Sequence, residues 1–352
     1  MKWLQKGAAL IPRGIPEFDL LRASAMTNIT PILISKGESA SAIEILNENI
    51  EIYQSINPTD KRGWVNSLFQ LAHAYTDFDY TKARAYGQES VAMARELGEA
   101  GKWDLAMALY WEGAVALRQV EYESGKSLIH EGLSIFREVG DCISTADMLH
   151  SMGQIEARIE NYKDALKYYR QAKDIKAEYG LKASAIFILN DMFTSERRLG
   201  NYEAARIKVE ECIAYLRDRG TPYHLAGSLW QLGDVLIDLN EIEQSTIHLR
   251  ESLQISQHLP TTSYKGFCLF SLIKSLKLQG KVHDAAFLLG AMEVETSKDY
   301  WQFAVYRKRD YNRTHEAVKT ALGESAFAKV YAEGRTMTLD QGVAYALEQV
   351  EK

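Results

Sequence analysis

A tyrosine followed three residues later by a small side chain returns at an almost fixed interval: Tyr80/Ala83, Tyr122/Gly125, Tyr162/Ala165 and Tyr202/Ala205. The pairs Ile242/Ser245 and Val282/Ala285 keep the same phase. The first members are separated by 42 residues once and by 40 at every later step. Gly140, Gly180 and Gly220 follow the same beat, each at the end of a stretch with helical periodicity. A unit of this size cannot bury its own apolar face, so such units stack in a row and share a core. The interval therefore predicts an all-α array of helix pairs, an architecture that normally binds rather than transforms.

One unit shows how the pairs are built. Leu149, Met152 and Ile155 recur at helical spacing with Gly153 between them. A glycine in a helix interior costs about 1 kcal/mol against alanine, so a close approach by the partner helix is expected there. Glu160-Asn161 marks a turn, and Tyr162, Ala165, Leu166, Tyr169 and Ala172 form the apolar stripe of a second helix that stops at Gly180. Tyr162 and Tyr169 are expected to fill the wedges between neighbours. Gly153 precedes Ala165 by 12 positions, as Gly113 precedes Gly125 and Gly233 precedes Ser245.

This spacing resembles that of the tetratricopeptide repeat (TPR), with extra length in the connection between units. The resemblance implies a right-handed α-solenoid of about seven TPR-like helix pairs with a helical C-terminal cap. The pairs are expected at 23–57, 63–98, 103–140, 143–180, 183–220, 223–259 and 264–295, within an array spanning 23–298. The first is the weakest, carried by Gly37 and Ala42. Residues 1–22 are expected to form a half repeat, with 1–10 as a second helix whose partner is absent, leaving an open apolar edge. Residues 299–352 leave the period and form the cap. It comprises a long helix to Gly323, the segment ESAFAKVYAEG, and a last helix opened by a Thr338–Gln341 capping box.

Composition narrows the function. A net charge of −6 and a pI near 5.8 argue against a surface built for nucleic-acid phosphates. Proline is scarce, at 6 residues, which suits long uninterrupted helices. No apolar run reaches the length of a membrane span, and the N-terminus lacks the features of a secretion signal. Cys142, Cys212 and Cys268 show no pairing pattern, so a reduced cytoplasmic setting is expected with the thiols as buried small hydrophobes. The eight histidines form no zinc-binding pair, and no phosphate loop or nucleophile elbow is present. His248 with Asp284 and Cys268 with His283 are the nearest approach to a nucleophile and base, and nothing else organises them. No enzymatic activity, catalytic residue, cofactor or metal is expected.

Two columns on the first helices are candidates for the binding surface. Tyr110, His150, Asn190, Trp230 and Phe270 are spaced 40 apart, with Phe69 as the equivalent one repeat earlier. In a TPR frame this column faces the concave groove, where aromatic and amide groups would suit an extended peptide or a helix; the alternative is that several of them fill helix seams. Arg118, Arg158 and Arg198, with Arg197, form a second column. It suggests a clamp for carboxylates, against the favoured reading that each cation offsets the dipole at its helix end. Asp234 and Asp238 interrupt the basic run, and Lys274 and Lys277 resume it. The segment 300–313, YWQFAVYRKRDYNR, interleaves aromatic and cationic residues as single-strand binders do. Its helical spacing favours packing on the seventh repeat instead.

The chain also resembles the C-terminal TPR region of bacterial STAND-class signalling ATPases, regulators of the LuxR, AfsR and MalT-like type. The matching segments are ARAYGQESVAMARELGE, ESGKSLIHEGLSIFREVGD, AAFLLGAMEVE and ALGESAFAKVYAEGRTMTLDQGVAYALE. The resemblance implies a sensor arm in signal transduction and transcriptional regulation. Its partner would be a protein or peptide, with a STAND-type ATPase encoded nearby as one candidate, and no direct contact with nucleic acid or membrane. Two alternatives remain: a receptor for a small molecule or signalling peptide, and an adaptor that homo-oligomerises through the open N-terminal edge.

Overall fold

The computed structural model describes residues 11, 14–56, 61–76, 78–219, 221–259, 263–296 and 305–350. These residues are helical or turn, with no strand among them. They divide into two compact units, Met1–Ala185 and Ile186–Lys352. None of the described helices is long and apolar enough to cross a membrane.

In the first unit, α1 (Pro16–Thr27), α2 (Thr30–Ser35) and α3 (Ser39–Ile56) precede the pair α4 (Arg62–Tyr75) and α5 (Tyr80–Glu96). A 3₁₀ turn at Gly98–Gly101 leads to α6 (Lys102–Arg118) and α7 (Tyr122–Val139), then α8 (Cys142–Arg158) and α9 (Tyr162–Glu178). The division falls within α10 (Lys182–Arg198). The second unit continues with α11 (Tyr202–Arg219), α12 (Pro222–Asp238), α13 (Ile242–Gln257), α14 (Ser263–Leu278) and α15 (Val282–Thr296). It closes with α16 (Val305–Leu322), α17 (Glu324–Gly334) and α18 (Leu339–Val350). The all-α fold of paired helices with a helical C-terminal end is as the periodicity predicts.

From α6 onward the turn inside each pair recurs more strictly than the sequence suggests. Val120, Glu160, Gly200, Asn240 and Gly280 all adopt a left-handed backbone, at φ of 65°, 63°, 78°, 63° and 79°. The next N–H in each case returns to a carbonyl five residues back: Glu121 to Ala116 at 3.0 Å, Asn161 to Glu156 at 2.8 Å, Asn201 to Glu196 at 3.0 Å, Glu241 to Leu236 at 2.9 Å and Lys281 to Leu276 at 2.9 Å. This is a Schellman cap, which satisfies carbonyls that a helix end leaves orphaned. Two turns carry a side-chain staple as well, Asn161 Nδ2 to Glu156 Oε2 and Asn201 Nδ2 to Glu196 Oε2, both at 2.8 Å.

Small residues then set how closely the two helices of a pair approach. A Cβ on Gly125 would lie 3.2 Å from the Gly113 carbonyl, and one on Gly113 would lie 2.7 Å from Ile129. At the equivalent crossing in the second unit, Ser245 Oγ donates to the Gly233 carbonyl at 2.7 Å. Gly153 makes room for a side chain: the ring of Tyr169, among the largest fully buried groups, occupies the space its Cβ would need. Tyr169 thus packs inside its own pair, not in a wedge between neighbours.

The N-terminal end departs from the repeat. Pro31 lacks an N–H and its ring clashes with a helical carbonyl four residues back, so the chain breaks at Asn28–Ile29 into α1 and α2. Helix α1 runs across the expected boundary between residues 22 and 23. Ile29, Leu33 and Ala42 form a small core there. The expected half-repeat helix at 1–10, the cap at Gly220, and Tyr300 and Trp301 lie outside the described residues.

At the other end the capping box forms as its sequence predicts. Thr338 N–H donates to Gln341 Oε1 at 2.9 Å and Gln341 N–H to Thr338 Oγ1 at 3.2 Å. Helix α17 docks on α15 through two glycines. A Cβ on Gly334 would meet the Phe287 carbonyl group and lie 3.2 Å from the Ala291 nitrogen, and one on Gly290 would lie 3.0 Å from the Arg335 nitrogen. Val318, Phe327, Val330, Leu339, Val343 and Ala346 join the core of α14 and α15. The two C-terminal segments that carry the STAND resemblance therefore lie against each other.

Two substitutions test these constraints. Gly334→Val is expected to destabilise the chain by about 1–3 kcal/mol, because backbone cannot yield as a side chain does. Val120→Gly should stabilise it by roughly 1 kcal/mol by relieving a β-branched residue in left-handed geometry. Urea unfolding of the two variants against the wild type measures both.

Candidate functional site

A cavity of about 930 Å³ opens in the second unit, lined by the first helices α10, α12 and α14 and by the C-terminal helix α16. Its apolar floor is Phe193, Trp230, Phe267 and Phe270, with Trp230 and Phe267 stacked at 5.0 Å between centroids. Asn190, Thr194 and Gln231 add uncharged polar groups to the wall. The helical period of α14 aims Phe267, Phe270, Ser271, Lys274, Lys277 and Leu278 into one space.

A buried carboxylate organises this wall. Asp234 is 6% exposed. Its Oδ1 accepts from Ser271 Oγ at 2.9 Å and Lys274 Nζ at 2.6 Å, and its Oδ2 faces Arg197 Nη1 at 2.6 Å. Trp230 Nε1 donates to Ser271 Oγ at 3.1 Å, which ties the aromatic floor to the same hub. Arg197 Nε reaches Asp238 at 2.6 Å. Lys274 also lies 3.7 Å from Asp310 and 5.5 Å from the centre of the Phe270 ring, and Asp310 pairs with Arg313 at 2.8 Å. Burial alone would raise the Asp234 carboxyl, but the Lys274 and Arg197 cations outweigh it and hold the group well below the usual carboxylate range. The Arg197 guanidinium, disfavoured by burial, is driven above its ordinary value by Asp234 and Asp238.

Of the candidate groove residues, Asn190, Arg197, Arg198, Trp230 and Phe270 come together on this cavity. The interruption of the basic column by Asp234 and Asp238 is its neutralising frame, so Arg197 is held at two points and is not an open carboxylate clamp. Phe270 is 7% exposed, and Tyr311 of α16 packs on it at 5.9 Å.

The remaining candidates belong to the first unit. Phe69 corrects its expectation: at 2% exposed it is a core residue, packed with Val65, Val91, Ala94, Ala108 and Leu109. Tyr110 is partly buried, shares a hydrogen bond with Ser151 and packs edge-on to Trp111. His150 packs near the Tyr169 ring at 5.6 Å. Arg118 and Arg158 end α6 and α8 and are exposed. Trp111, stacked on His73 at 3.8 Å, is an aromatic contact the column did not include.

The cysteines divide. Cys142 is exposed, which corrects the expectation of burial, whereas Cys212 and Cys268 are buried. Burial pushes both of these thiols up to about 12, and Cys268 lies 2.9 Å from Ser252 Oγ. A thiol so raised is a poor nucleophile at neutral pH. Among the described residues no group of three His, Cys, Asp or Glu side chains is arranged to hold a metal ion.

Arg309, Asp310 and Arg313 of α16 were missed as lining residues. Helix α16 lies outside the repeat, so no period assigned its faces, and the charges of the 300–313 segment gave the only signal.

With this geometry in place, the class is clear: each unit is built of TPR-like helix pairs, and the tetratricopeptide repeat family model matches residues 104–178. Among solved structures, the apo form of RapI aligns with a TM-score of 0.65 at 14% identity, over 94% of this chain and 86% of its own. The apo quorum sensor NprR from B. thuringiensis aligns with a TM-score of 0.63 at 12% identity, over 100% of this chain and 92% of its own. The STAND protein PH0952 from Pyrococcus horikoshii, which carries a tetratricopeptide repeat sensor, aligns at 0.60 and 16% identity over 90% of this chain, which spans 46% of PH0952. The expected likeness to a STAND sensor is thus present at the level of fold. No curated protein matches by sequence.

Replacing Asp234 by asparagine leaves two adjoining cations without their shared counter-charge. The expected loss is roughly 3 kcal/mol at pH 7, the scale of breaking a buried pair. Because the folded carboxyl is depressed, its contribution is complete above the unfolded value near pH ~4 and is lost as pH falls through the folded value. The gap between wild type and Asp234→Asn in urea melts should stay constant from about pH 7 to 5 and close only in stronger acid.

Proposed function

We propose that this chain is a non-enzymatic, peptide-binding regulator whose ligand enters the cavity of the second unit. The observation that carries this reading is the aromatic floor of Trp230, Phe267 and Phe270 mounted on the buried Asp234 hub. Such a floor supplies apolar anchors, and Asn190, Thr194 and Gln231 offer donors and acceptors to a peptide backbone. Arg197, Lys274 and Ser271 are fixed before any ligand arrives, which lowers the ordering cost of binding. A volume of about 930 Å³ suits a few side chains of a short segment.

NprR is a quorum sensor and PH0952 carries a TPR sensor. Likeness of fold to both supports a sensory role in signalling. A STAND-type ATPase encoded nearby is the partner that this role suggests. Of the two alternatives, a signalling-ligand receptor is favoured over a homo-oligomerising adaptor by the open, aromatic-floored cavity.

The test is a titration of the full chain with pooled random nonapeptides, followed by tryptophan fluorescence and calorimetry. Binding should be saturable, and Trp230→Ala should weaken it by about tenfold or more. The reading fails if no pool binds, or if Trp230→Ala and Phe267→Ala leave the affinity unchanged.

A further inference from the structure

The cavity of the second unit has a charge opposite to that of the chain around it. Among the described residues six cations line it, Arg197, Arg198, Lys274, Lys277, Arg309 and Arg313, against three carboxylates, Asp234, Asp238 and Asp310. The lining is therefore +3, from six minus three, while the whole chain carries −6. All three carboxylates are engaged inside the wall: Asp234 and Asp238 with Arg197, Asp234 and Asp310 with Lys274, and Asp310 with Arg313. Those contacts fix part of the positive wall in place without cancelling it.

Three helices supply the cations at helical spacing. Lys274 and Lys277 lie three residues apart on α14, and Arg309 and Arg313 lie four apart on α16, so each pair shares one helix face. Arg197 and Arg198 come from the end of α10. Convergent charge in a concave, partly apolar site focuses the field and strengthens each Coulomb contact relative to open water.

We propose that the cavity selects an acidic peptide segment. A Glu or Asp side chain is held among Lys277, Arg309 and Arg313, and a neighbouring apolar side chain rests on Trp230, Phe267 and Phe270. This rests on the peptide-binding reading above and adds its chemistry. Guanidinium groups match carboxylates in geometry as well as charge. The described lining of +3 sits on a chain of net charge −6, whereas a nucleic acid requires a continuous basic stripe. An acidic peptide is therefore favoured over a single strand of nucleic acid.

The experiment measures binding of the full chain by fluorescence anisotropy to three labelled nonapeptide pools, with a fixed Glu-Leu, Gln-Leu or Lys-Leu at the centre. The Glu-Leu pool is expected to bind at least about tenfold tighter than the Gln-Leu pool and to weaken steeply with added salt. Lys277→Glu combined with Arg309→Glu should abolish that preference, while the milder Lys277→Gln with Arg309→Gln should reduce it. Circular dichroism checks that both variants keep the fold. Equal binding of the Glu-Leu and Gln-Leu pools, or preference for Lys-Leu, overturns the acidic assignment and leaves peptide binding standing. Displacement of the Glu-Leu pool by an oligothymidylate of higher affinity also overturns it. Failure of every pool removes the peptide-binding reading as well.

Discussion

Where α6 passes α7, the Gly113 carbonyl lies 3.2 Å from the point a Cβ on Gly125 would occupy, and the pairs α8/α9 and α12/α13 depend on their own versions of this crossing. Two helices returned on each other by a three-residue turn leave no space for two ordinary side chains at the point of nearest approach. The chain meets that limit in different ways: two glycines at 113 and 125, glycine and serine at 233 and 245, glycine facing a tyrosine ring at 153 and 169. Once the approach is set, the remaining apolar residues of the pair are placed for the next pair to cover. Burial of that shared face supplies the main driving force.

The turn and the crossing together explain why the first helices align their residues in columns. From α6 onward a left-handed residue every 40 positions fixes the end of each first helix, so residues at equal distance from that end recur with the same orientation. In the second unit this places Asn190, Trp230 and Phe270 on one cavity. Asp234, one turn beyond Trp230, then gathers cations from α10 and α14 and a hydroxyl from Ser271. A carboxylate this buried is tolerated because its charge is met from more than one direction, which is the condition for stability of buried ions. The cavity wall is therefore made of groups whose positions the fold already requires.

This also marks what was legible in the sequence. Helix pairs, their crossings and the Thr338 capping box follow from spacing and residue type, because each is a local consequence of backbone geometry. The shared turn was half hidden: glycine announces it at 200 and 280 and asparagine suits it at 240, but Val120 and Glu160 hold the same conformation with unfavourable side chains. The Arg column was visible while its partners were not, since Asp234 meets Arg197 across 37 positions and only the packed helices bring them together. Phe69 shows the opposite error. A register position alone does not separate a groove residue from a core residue when neighbouring helices close over it. Arg309 and Arg313 escaped because α16 belongs to no repeat, so there was no phase from which to assign its faces.

The glycines at 290 and 334 give the C-terminal end a particular mechanical character. Backbone meets backbone there, and the Phe287 carbonyl stands where any larger side chain would have to go. A contact of this kind acts as a pin: it resists sliding and leaves rocking as the softer motion. Helix α16 joins α17 through the single residue Gly323 and carries Arg309 and Arg313 to the cavity wall. One wall of the cavity is thus carried, across a single residue, by a helix whose own seat on the last repeat is set by backbone contact.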